Sequence, residues 1–170
     1  MSMKFKSVLI LAVIAFQLTV LPHFAPFGVV PNYTLIFVIA VCLISDGVES
    51  VIFSGVTGLL MDLFTGARIG LNILLYMYIS IALIMVIDAV YNKRLRVVIP
   101  MCFVSSFIYE LFFGVLSTLL RGATFYAEAV WKVVLPVALI NTVIFIPVYI
   151  ILSRLRFEKR KRGIKYERQI

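Results

Sequence analysis

The chain has 170 residues, 63% of them apolar and only 14% charged, with a formal net charge of +8. An ordinary soluble domain carries about 25% charged residues, and so short a chain in water would leave much of its apolar surface wet. Lipid is the solvent that fits, which excludes a soluble enzyme and leaves room for a single membrane domain.

A spanning helix needs about 20 mostly apolar residues, and six candidates follow in chain order. Lys4 and Lys6 before the apolar residues 7–21 have the form of a signal peptide. Pro22-His23-Phe24-Ala25-Pro26 makes a poor cleavage site, so residues 6–22 are expected to be a retained first helix. His23, the only histidine, falls in an outer loop and reads as a surface residue. The second and third candidates, 31–45 and 48–64, are short and joined by Ser45-Asp46-Gly47, so a re-entrant hairpin is the alternative to two full spans. Pro31-Asn32 opens the second helix with capping chemistry, a better reading of Asn32-Tyr33-Thr34 than a glycosylation sequon.

The third helix is the most informative. At 100° per residue, Gly55, Gly58, Asp62 and Gly66 fall within about 80° of one another. Small residues on one face let another backbone approach. A carboxylate facing lipid at mid-depth costs about 2.5–3.5 kcal/mol, so Asp62 should face protein, water or the outer interface, with Arg68 as a candidate partner. The face serves either partner capture or plain packing inside the bundle.

The fourth candidate, 70–90, carries Asn72 and Tyr76, and Asp88 at its end beside Lys93 and Arg94 suggests solvated ion pairing. On the fifth, 97–120, Ser106, Glu110, Phe113 and Ser117 share a face with Gly114 beside them. Glu110 is the deepest acid; a hydrogen bond to Asn72, Tyr76 or Asn141 on another helix is expected in preference to a proton relay or ligand site. On the sixth, 130–153, Pro136, Asn141 and Pro147 predict a kink or irregularity that neighbouring helices can satisfy. Residues 154–170 form a basic tail holding eight of the sixteen Lys and Arg, expected to be partly disordered. Its simplest role is to fix topology; holding anionic lipid or touching a cytoplasmic filament are alternatives.

Basic residues accumulate on the cytoplasmic side of membrane proteins. With the N-terminus inside, the inner segments carry thirteen Lys and Arg and the outer ones only Arg68, Arg121 and Lys132. Six crossings with both termini cytoplasmic follow. Phe24, Phe27, Phe125, Tyr126 and Trp131 then suit the outer headgroup level.

Cys42 and Cys102 lie in apolar runs without a second ligand at metal spacing and read as small apolar residues at a helix surface. No Ser/His/Asp set, zincin motif or phosphate loop is present, so no catalytic residue, cofactor or metal is expected. The positive charges flank apolar segments, which argues against nucleic acid.

Pro31-Asn32, then Ser54-Gly55-Val56-Thr57-Gly58-Leu59-Leu60-Met61-Asp62-Leu63-Phe64-Thr65-Gly66, Ile69-Gly70-Leu71 and Leu75-Tyr76 resemble the bacterial rod shape-determining MreD family. The motif-bearing part covers about residues 31–80; the remainder matches in length, hydropathy and basic tail. The resemblance implies a non-enzymatic scaffold or regulator of cell-wall elongation in the cytoplasmic membrane. It implies binding to the bitopic protein MreC, beside the polymerase RodA, a class B penicillin-binding transpeptidase and MreB filaments. It also implies a helical plan similar to the substrate-binding subunits of energy-coupling-factor transporters. By match to the motif, Pro31, Asn32, Gly55, Gly58, Asp62, Gly66 and Gly70 are the signature positions. The competing function is a small-solute-binding transporter subunit, whose polar cavity would use Asn72, Tyr76, Glu110 and Asn141.

Overall fold

In the computed structural model, residues 3–19, 30–45, 47–66, 70–90, 95–120 and 127–167 are described, with side chains from 10 to 154 within them, residue 90 excepted. They form six helices, α1 Met3–Thr19, α2 Tyr33–Ile44, α3 Gly47–Thr65, α4 Leu71–Val90, α5 Leu95–Leu120 and α6 Leu135–Glu167, with no strand among the described residues. Segments of α3, α4, α5 and of the stretch from Val130 to Arg154 are long and apolar enough to cross a membrane; α1 and α2 are shorter.

α2 occupies the centre. It packs against all five other helices, and every residue from Thr34 to Ile44 is buried. Its 12 residues extend about 18 Å at 1.5 Å each, well short of a hydrocarbon core about 30 Å thick. The sequence suits enclosure, because Leu, Ile, Val, Phe and Ala surround the helix on all sides and give it no polar face. A helix that ends inside protein must satisfy its free backbone groups there. The Asn32 side chain accepts from Leu35 N at 3.0 Å, the expected cap, and Ser45 N donates to Val41 O at 2.8 Å at the other end.

Around α2, the most extensive pairing is α3 with α4. Gly58 makes this possible: a Cβ there would lie 2.6 Å from Ile73 Cα and N, so only a hydrogen fits between the two backbones. Gly55 lies beside the Met77 side chain. The outer faces of the same helices are apolar and exposed, as at Ile52, Val56 and Leu63 on α3 and Leu74, Tyr78 and Met85 on α4.

Three expectations change. Cys42 and Cys102 are interior residues, 3% and 0% exposed, not surface ones. Cys42 Sγ lies 3.0 Å from Ser80 Oγ and 3.5 Å from Ser54 Oγ, filling the seam of α2, α3 and α4. The irregularity expected along the sixth helix falls at its start, where Val130–Val134 form a π-helical turn in which Leu135 N donates to Val130 O. Pro136 follows immediately; it lacks the N–H that would bind the carbonyl of Lys132 in a regular helix. Pro147 is accommodated within continuous α6. Finally, the helix continues through Glu167, past the expected end at 153 and into the basic tail. That stretch is rich in Arg, Lys and Glu, which favour helix, and has no proline to stop it.

Candidate functional site

Two buried polar networks hold the bundle together. The first is built on Asp62, which is 0% exposed. The end of α3 turns through Gly66 and Gly70, with φ of 61° and 110°. These are backbone conformations that side chains with a Cβ rarely adopt. The turn returns the chain so that Gly70 N donates to Asp62 Oδ2 at 2.7 Å. Asn72 N and Nδ2 both donate to Oδ1, at 3.2 and 2.8 Å. Tyr109 on α5 completes the chain by donating its hydroxyl to Asn72 Oδ1 at 2.5 Å. The carboxylate is thus held by hydrogen bonds from the start of α4. Arg68, Lys93 and Arg94, the cations expected to pair with Asp62 and Asp88, lie outside the described residues; Asp88 itself is exposed.

The second network secures the N-terminal end of α2. Gln17 Oε1 on α1 accepts from Thr34 N and Thr34 Oγ1, both at 2.7 Å. Asn32 N donates to Asn141 Oδ1 on α6 at 2.9 Å, and Asn141 Nδ2 donates to Ser106 Oγ on α5 at 2.8 Å. Asn141 and Ser106 are fully buried. Four helices are therefore tied at the start of the central one.

Asn72 and Asn141 belong to different hydrogen-bond networks, the first to that of Asp62 and the second to the cap of α2, while Tyr76 and Glu110 both lie beside the Asn32 side chain. Glu110 is half-buried on α5 and makes no hydrogen bond to Asn72, Tyr76 or Asn141. The Tyr76 ring is 0% exposed and packs against Tyr109 with centroids 5.2 Å apart. Its hydroxyl is buried near Tyr109 and Asn32 yet makes no hydrogen bond among the described residues. On the same face of α5 as Glu110, Phe113 stacks on Tyr109 at 5.7 Å, and Ser117 donates to the carbonyl of Gly114 on its own helix.

Of the signature positions, Gly55, Gly58 and Asp62 face α4, Gly66 and Gly70 shape the turn between α3 and α4, and Pro31 and Asn32 begin α2. Sequence reading missed Gln17, Thr34 and Tyr109. Gln17 is the one side-chain amide within the apolar run of α1, and that isolation was the available signal. Among the described residues, no group of three or more His, Cys, Asp and Glu could hold a metal.

Apolar helices packed round an enclosed central helix, with polar side chains turned inward and hydrogen-bonded, define a multi-pass helical membrane protein. A family model described as rod shape-determining protein MreD matches residues 2–157. The chain belongs to that family, and its role lies in rod shape determination. Neither a curated protein nor a solved structure matches it significantly.

Proposed function

We propose that this chain is a non-enzymatic scaffold or regulator of the cell-wall elongation machinery, and that it captures an MreC-like bitopic partner in the plane of the bacterial cytoplasmic membrane. The observation that carries this reading is the direction of the polar groups. Asp62, Asn72, Ser106 and Asn141 are spent on contacts between the chain's own helices, while the outer surfaces present apolar side chains. Such surfaces suit the membrane helix of another protein, since helix association in lipid relies on packing. Charge asymmetry supports cytoplasmic termini, with α1 and α2 completing six passes of unequal depth. A RodA-type polymerase and a class B penicillin-binding transpeptidase would join the assembly through the partner, and the basic end of α6 lies on the side where MreB filaments run.

The test is co-purification of the full chain with the bitopic partner from native membranes. Capture that weakens when Ile52 or Val56 is changed to Trp, with folding intact, supports the scaffold. Absence of any such partner at native expression contradicts it.

A second reading, a small-solute-binding subunit, is favoured by one observation, the Tyr76 hydroxyl buried without a hydrogen bond among the described residues. A bound solute would supply the missing partner. Thermal stabilisation of purified protein by a vitamin-like compound, lost in Tyr76→Phe, would support this reading; no stabilisation across a panel would oppose it.

A further inference from the structure

We infer that the groove between α4 and α5 is a binding site for one anionic phospholipid of the cytoplasmic leaflet, with its phosphate on Arg96 and an acyl chain along the groove. The cavity there measures about 550 Å³. Arg96, Pro100, Val104 and Ile108 contribute from α5, and Ala82 and Val86 from α4. The α5 residues recur every four positions and so form one stripe along the helix. All six are exposed, so the groove opens outward to lipid and is separate from the polar networks inside. Ala82 is the small residue that leaves the space; longer side chains lie above and below it.

Two features select the occupant. The first is length. From Arg96 to Ile108 the stripe rises about 18 Å at 1.5 Å per residue, close to half the roughly 30 Å hydrocarbon core plus the start of the headgroup layer. An acyl chain fits that span, whereas a partner helix would need a longer one. The second is charge. Among the described residues, Arg96 is the only charged one lining an otherwise almost wholly apolar groove. It makes no ion pair among the described residues, and Lys93 and Arg94 precede it in sequence. A guanidinium at the cytoplasmic interface can bind a phosphate through two parallel hydrogen bonds. The nearest acid in sequence on α4 is Asp88, which does not line the groove. The Arg96 charge at the mouth and an oily slot below it match a lipid with an anionic head.

The test is native mass spectrometry of the full chain in detergent, titrated with phosphatidylglycerol or phosphatidylcholine. The wild type should retain one phosphatidylglycerol in preference to phosphatidylcholine. Arg96→Gln should weaken phosphatidylglycerol about five-fold, the effect of one interfacial cation, and leave phosphatidylcholine unchanged; Arg96→Lys should recover most of the loss. Ala82→Phe, which fills the slot from an exposed position, should weaken both lipids. Equal retention of the two lipids by the wild type overturns the assignment. So does phosphatidylglycerol binding that survives Ala82→Phe, which would place the lipid on the basic tail, or a homodimer that Ala82→Phe dissolves, which would give the groove to a second copy.

Discussion

Replacing Gly58 with Ala is the most informative single change, because helix propensity and packing pull in opposite directions. In isolation, Ala favours a helix over Gly by about 1 kcal/mol. At Gly58, however, the added Cβ would stand 2.6 Å from Ile73 Cα and N and 2.7 Å from Asn72 C. Carbon atoms normally rest at about 3.5–4.0 Å, so the start of α4 must retreat by about 1 Å. Overpacking of this kind costs about 1–3 kcal/mol. The same stretch of α4 supplies the Asn72 bonds to Asp62 at 2.8 and 3.2 Å. Losing one bond to a buried carboxylate adds about 1.5–3 kcal/mol. Net of the propensity gain, Gly58→Ala should destabilise the protein by about 3 kcal/mol. Gly55→Ala is the control. Its Cβ meets only the flexible end of Met77, at 3.2 Å, so it should remain within about 1 kcal/mol of wild type. Unfolding by sodium dodecyl sulfate in mixed micelles, followed by tryptophan fluorescence and helicity, measures both. Equal stability of the two variants would refute the close approach of α3 and α4.

Other expectations follow from the same geometry. Tyr109→Phe leaves the buried Asn72 Oδ1 without its donor and should cost about 1–3 kcal/mol in the same assay. Asp62→Asn turns an amide donor toward N–H groups that already donate, and should cost more than Tyr109→Phe; a neutral outcome would mean that Gly70 and Asn72 do not bind the carboxylate. Asn141→Leu removes the acceptor of Asn32 N and the donor to Ser106, with an expected loss of about 1–2 kcal/mol for two bonds inside the membrane. Gly70→Ala at φ 110° should destabilise more than Gly66→Asn at φ 61°, because Asn tolerates the left-handed helical region that Gly66 occupies. Thermal melts of the two variants rank them.

Much of the helical plan is legible in the sequence. Each of the six apolar runs corresponds to a helix, with ends displaced by a few residues except at α6. The enclosure of α2 is not legible. In a soluble protein, polarity would separate inner from outer faces, but in lipid both can be apolar, so residues 34–44 read alike whether they touch protein or acyl chains. That Asp62 avoids lipid is readable from the cost of exposing an acid there, though protein, water and the outer interface all remain open to it. Its partners are not readable, because they depend on the turn at Gly66 and Gly70 placing two backbone N–H groups beside it. Glu110 shows the complementary failure: an acid midway along a helix invites a partner, yet Asn72 and Asn141 are committed elsewhere. Gln17 meets Thr34, 17 residues further along the chain, and spacing carries no trace of that contact.

The account stands on this chain acting in rod shape through contacts within the membrane, and depletion in its native host tests that most directly. Rod-shaped cells should swell and round as the protein is diluted, and re-expression of the wild type should restore rods, whereas Gly58→Ala at reduced folded level should restore them poorly. Cells that keep their width and length through complete depletion would contradict it.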